Sequence, residues 1–232
     1  MSVQWSAVEP KLIRVLNSIA IADSDAEMRK DGFNAALDAF SVHTAKLAKT
    51  EFTGDGSTVA WSLPADFLST PDSIKGIRVS SGQNLSEQDN WLEEQIWVPG
   101  ESYPQWTDTS GIPSLYFIWP SDKINILPTL ASGSKVEMYY YAAWAEVTAP
   151  TSVIDAPRWS HRLLMYYAAA YCIAPSGIKS AKIRQFAQRQ DSGSPEDNPI
   201  HDQAQFYLKL YERELVKYQP QRDGVVFKPG RG

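Results

Sequence analysis

The spacing of apolar residues changes period twice along this chain, from about 3.6 residues to two and back again. No single regular element can follow such a pattern. The sequence therefore commits to helices at both ends and strands between them. Residues 10–21, PKLIRVLNSIAI, set Leu12, Val15, Leu16 and Ile19 on one helical face, and Pro10 suits a first-turn position. After ADSDAEMRK, the residues Phe33, Leu37, Phe40, Thr44 and Leu47 fall near one face, and Ser24 with Glu27 has the spacing of a capping box. Two helices are expected, at about 10–20 and 25–49, antiparallel because the turn between them is short.

From Glu51 the period is two. EFTGDGSTVAWSLP carries a Gly-Asp-Gly-Ser turn between two strand-like segments, which predicts a hairpin. Asp55 in that turn lacks the alternating acids of a calcium loop, so turn chemistry explains it better than metal binding. Ile74, Ile77 and Val79 alternate imperfectly in SIKGIRVS. Leu115, Phe117 and Trp119 alternate, as do Val136, Met138 and Tyr140, which argues for antiparallel strands with one buried face. Residues 80–112 are polar and broken by Gly and Pro, yet include Trp91, Trp97 and Trp106. Those tryptophans fit a sugar-stacking platform or, more simply, anchors that pin a long loop to a sheet.

The helical period returns at VIDAPRWSHRLLMYYAAAYCIAPSG. Asp155 reads as an N-cap, Pro157 as a first-turn residue, and Arg162, Met165, Tyr166, Ala169, Ala170 and Ile173 as one face. A last helix, about 200–218, aligns Ala204, Tyr207, Leu208, Tyr211, Leu215 and Tyr218. Before it lies RQDSGSPEDNPIHDQ, where Asp191, Ser194, Pro195, Glu196, Asp197 and Asn198 form a helix-breaking corner, with Asp197 or Asn198 able to cap the next helix. The corner is longer than a minimal turn, which leaves room for a docking role. Residues 219–232 hold an apolar plug, Val225, Val226 and Phe227, between Gly224 and the basic, kinked Lys228, Pro229 and Arg231. Such a tail suits capture by a partner, for instance as an added strand.

The fold expected is α+β. Residues 1–50 and 151–218 form one helical bundle, residues 51–150 a β-rich antiparallel insertion, and residues 219–232 an extended C-terminal tail.

Chemistry is harder to find. His43, His161 and His201 are scattered over separate helices, and no nucleophile elbow, P-loop or dinucleotide fingerprint occurs. Glu93-Glu94 are adjacent acids, which point in different directions in most backbones. The lone cysteine, Cys172, excludes an internal disulfide and reads as a small core residue. A net charge of −5 disfavours a general nucleic-acid binder. The opening MSVQWSAVEPK has no signal-sequence character, and the longest apolar run is too short to span a bilayer, so manufacture in a reducing cytoplasm is expected. Eight Trp, eleven Tyr and eight Phe suit large interfaces. No catalytic residue, metal ligand or cofactor is expected.

Three segments together resemble tailed-bacteriophage head-to-tail adaptor proteins, also called connector or head-completion proteins. They are the helix pair leading into EFTGDGSTVAWSLPADFL, the stretch GIPSLYFIWPSDKINILPTLASGSKVEMYYYA, and RQFAQRQDSGSPEDNPIHDQAQFYLKLYEREL. The resemblance implies a structural virion protein of the neck, made in the host cytoplasm. Identical subunits would form a ring, usually of twelve copies, beneath the portal. The ring would extend the channel through which genomic DNA passes without sequence-specific binding, and would offer a surface to a tail component such as a terminator, nozzle or tail tube. On that reading Gly224–Arg231 dock on the portal and Asp191–Asn198 touch a neighbouring subunit or the portal. The other classes are a different virion module, such as a carbohydrate-binding tail module built on Trp91, Trp97 and Trp106, and a hydrolase with an unrecognised site.

Overall fold

The computed structural model describes residues 3–17, 26–69, 73–81, 91–94, 112–118, 122–173 and 199–217. They fall into two units, one of residues 3–44 and 143–217, the other of residues 45–142. The fold is α+β.

The first unit contains α1 (Trp5–Asn17), α2 (Ala26–His43), α3 (His161–Ile173) and α4 (Pro199–Val216). A two-residue ladder, β1 (Val3–Gln4) against β9 (Val153–Ile154), adds to them. Trp5, Val8, Leu12 and Leu16 recur at helical spacing on α1 and meet Phe33, Leu37 and Phe40 of α2, Leu163 and Leu164 of α3, and Tyr211 of α4 in one core. The returning chain is tied to α2 by polar groups. Asn34 Nδ2 donates to the Val147 carbonyl at 3.1 Å, Val147 N donates back to Asn34 Oδ1 at 2.8 Å, and Trp144 Nε1 donates to the Thr44 carbonyl at 2.6 Å. Cys172 is buried and its thiol points at the Met28 carbonyl.

The second unit holds two sheets. One has the order β2-β8-β4, all antiparallel, with β2 (Lys46–Thr53), β4 (Ile74–Ser81) and β8 (Lys135–Ala142). The other has the order β3-β7-β6-β5, with β3 (Ala60–Ser62), β5 (Glu93–Glu94), β6 (Leu115–Ile118) and β7 (Lys123–Leu127). Phe52, Ile77, Val79, Ile124, Ile126, Val136, Met138 and Tyr140 share one core drawn from both sheets.

Several local expectations are corrected. Pro10 lies inside α1, not in its first turn. The helix starts earlier because Trp5 N and Ser6 N donate to the Ser152 and Pro150 carbonyls, so a tertiary strap fixes its start. The helix expected to reach residue 49 stops at His43, because Lys46–Thr53 pair over their whole length with β8. Asp155 does not cap a helix. Its Oδ1 accepts from Ala145 N at 3.1 Å, and Pro157 precedes a short 3-10 turn, Arg158–Ser160, ahead of α3. The Gly-Asp-Gly turn exists, but the strands on either side pair with β8 and β7 in different sheets, so there is no hairpin. In β6 the buried residues are the adjacent Tyr116 and Phe117, and β5 runs parallel to β6. No helix among the described residues is long and apolar enough to cross a membrane.

Candidate interaction surface

Period-two geometry sends alternate residues of β8 to opposite faces. Val136, Met138 and Tyr140 enter the core, so Glu137 and Tyr139 face the other way. Glu137 stands directly across from Arg78 of β4 and Glu51 of β2. Its Oε2 accepts from Arg78 Nε at 2.9 Å and from the Tyr139 hydroxyl at 2.9 Å, and its Oε1 accepts from Lys49 Nζ at 2.7 Å. The Lys49 bond, reinforced by Arg78 and Tyr139 against an opposing cost of burial, holds the Glu137 carboxyl down at about 2. On the same face Lys135 Nζ donates to Glu51 Oε1 at 2.6 Å. The Glu137 side chain is only 10% exposed while Lys49 and Arg78 are 51% and 44% exposed. The carboxylate is thus a floor on which two cations stand with their outer surfaces in water.

Aromatic rings border this ionic row. The Arg78 guanidinium lies 5.6 Å from the Tyr139 ring centroid, and Lys75 Nζ lies 4.4 Å from that of Tyr141. Trp91 sits 6.1 Å from Tyr139 and bridges to Arg78. A Cβ on Gly76 would come within 2.5 Å of Trp91 Cζ3, so glycine is what lets the indole approach the strand this closely. Trp91 therefore anchors its segment to the sheet. Trp97 and Trp106 lie outside the described residues.

The arrangement displays cations and rings, and its carboxylate, held ionised by three donors, takes up a proton poorly at neutral pH. Asp55 is occupied by its own turn. Its Oδ1 accepts from Ser57 N and Thr58 N, its Oδ2 accepts from the Thr58 hydroxyl at 2.6 Å, and Gly56 adopts φ +86° beside it. The Thr58 hydroxyl does most to hold the Asp55 carboxyl well below its usual range. Glu94 accepts from the Tyr116 hydroxyl at 3.5 Å, and burial is the main reason that phenol is pushed up. His161 contacts the Ala156 carbonyl at 3.2 Å, and burial lowers its pKa. His43 ends α2 and His201 lies in α4. Among the described residues no group of three His, Cys, Asp or Glu is placed to hold a metal.

The sequence-predicted docking residues all lie outside the described residues. They are Gly224, Val225, Val226, Phe227, Lys228, Pro229 and Arg231 in the tail, and Asp191, Ser194, Pro195, Glu196, Asp197 and Asn198 in the corner. The Glu137 row was not foreseen. A carboxylate inside the run VEMYYYA was the available signal, but its cationic partners come from positions 88 and 59 residues away.

A family described as SU10 adaptor protein matches residues 11–227, which takes in both units. No curated protein matches the chain.

Proposed function

The chain belongs to the SU10 adaptor protein family, the head-to-tail adaptors of tailed phages, and from that membership we propose how it serves the particle. As a phage structural adaptor it joins portal and tail. In our reading identical subunits, twelve to a ring, dock beneath the portal, extend the DNA channel and present a new surface to the tail. The observation that carries this is the family match running nearly end to end. The net charge of −5 supports a channel that DNA slides through, because like charge limits sticking. The basic and aromatic face of the β2-β8-β4 sheet has the composition of a protein-binding surface. The role is structural and not enzymatic, in keeping with carboxylates already engaged by neighbouring donors.

Docking on the portal falls to the tail in this scheme. Val225, Val226 and Phe227 bury in a portal groove, Gly224 and Pro229 bend the approach, and Lys228 and Arg231 steer it. The corner Asp191–Asn198 touches a neighbouring subunit or the portal. Ring formation follows docking, because a portal ring raises the effective concentration of adjacent subunits. The test is cryo-electron microscopy of purified portal rings mixed with the chain. A ring of added subunits on the tail-facing end is expected. Failure to bind the portal, or binding as isolated copies elsewhere on it, would refute the proposal.

A further inference from the structure

The strand β2 is an edge. β8 covers one side of it, and among the described residues no backbone hydrogen bond reaches the other. Gly54 N donates to the Ser134 carbonyl at 2.8 Å, continuing the register in which Lys46 faces Ala142 and Thr53 faces Lys135. Even-numbered residues of β2 therefore turn their N–H and C=O groups toward β8. Leu47, Lys49, Glu51 and Thr53 turn theirs toward the open side. This edge is eight residues long, has neither proline nor glycine, and carries Leu47 at 53% exposure. An edge of that kind is a template for another strand.

We propose that the occupant is the same edge of a second copy, paired antiparallel about Thr50 in a two-fold dimer of the unassembled subunit. Two copies of β2 can bond along their open sides only in registers that place odd residues opposite odd ones. Centred on Lys49, the pairing sets lysine against lysine; centred on Glu51, it sets glutamate against glutamate. Centred on Thr50, it sets Lys49 against Glu51 twice, small Ala48 against large Phe52 on the core face, and Leu47 against Thr53. Opposite charges directly across a sheet stabilise it and like charges destabilise it, so one register stands out. That register also continues the ionic row already present. Arg78, Glu137 and Lys49 of one copy lead to Glu51 and Lys135 of the other, alternating in sign throughout.

A two-fold contact uses up the edge on both copies and stops there, which protects it from open-ended strand addition. A ring about one axis contains no such two-fold, so the dimer belongs to the free subunit and parts on assembly. The inference concerns that free subunit and stands whatever the chain later docks on.

Cross-linking of full-length protein tests it. Across a non-hydrogen-bonded antiparallel pair the Cα atoms are about 4.5 Å apart, within disulfide reach. Thr50→Cys should yield a disulfide dimer under mild oxidation. Ala48→Cys should not, because in this register its two copies lie roughly 14 Å apart along the strands. Wild-type protein measures any background from Cys172. In sedimentation equilibrium Glu51→Lys should weaken dimerisation about tenfold. Thr50→Cys is a mild change, so the cross-linking result stands even if Glu51→Lys fails to fold. Equal cross-linking of both cysteine variants would overturn the proposal, as would a dimer indifferent to Glu51→Lys. So would a strictly monomeric chain, which would leave the edge to an extended segment of another protein.

Discussion

The two units bury apolar residues in opposite manners. In the helical unit, α3 buries Leu163, Leu164, Ala168, Ala169, Ala170, Cys172 and Ile173, which leaves it little free surface. Its polar contacts tie element to element, as where Arg29 Nη2 of α2 meets Glu9 Oε1 of α1 at 2.8 Å. In the β unit, β8 gives one face to the core and on the other sets Glu137 and Tyr139 against Lys49 of β2 and Arg78 of β4. A helix packed among helices spends its circumference on cohesion. A strand splits its side chains by geometry, so a sheet with one buried face keeps the other for recognition.

If that contrast is right, the largest damage should come from a cavity in the helical unit. Phe33 is fully buried and its ring lies 4.7 Å from that of Trp5. Phe33→Ala should cost about 3–5 kcal/mol, read by urea unfolding followed through the far-ultraviolet helix signal. A loss under ~1 kcal/mol would mean this core is looser than its packing implies.

A smaller effect is expected from the ionic row. Glu137→Gln should cost about 1–2 kcal/mol, since its partners are half in water and screening reduces what they contribute. The acid response gives a sharper reading. The folded-state pKa of Glu137 is depressed from 4.5 to about 2, so its stabilisation is complete above 4.5 and is lost as pH falls through that window. Wild-type protein should lose stability between those limits by more than Glu137→Gln does. Identical acid titrations of the two would show that the row contributes nothing to folding.

The smallest effect on either unit should come from deleting residues 224–232. Helix content and melting should stay as in the full chain, while binding to portal rings is lost. Wild-type binding by the truncated protein would move docking onto one of the folded units.

Legibility in the sequence followed the same division between local and distant causes. The α4 face of Ala204, Tyr207, Leu208, Tyr211 and Leu215 could be read from spacing, and Ala204 and Tyr211 are buried. So could the core face of β8, because Val136, Met138 and Tyr140 alternate without interruption. The turn at Asp55 was legible from its own chemistry. The partners of the strands beside it were not, because β8 and β7 lie far along the chain. The same holds for the end of α2, where a strand ladder with β8 overrides helical spacing at Leu47. The Glu137 row needs three strands to meet, and no local pattern announces a meeting of that sort. The tail and the corner were read from local composition alone, and the fold bears on neither.

The pairing of Lys46 with Ala142 has a consequence for how such a chain can change over time. The first and last residues of the β unit's outer ladder are direct neighbours, roughly 5.5 Å apart between Cα atoms. A short turn spans that gap, so residues 45–142 behave as a cassette whose two ends leave side by side. Lineages could exchange, enlarge or trim the cassette without re-threading the helices. An engineer could graft a foreign domain at the same two positions.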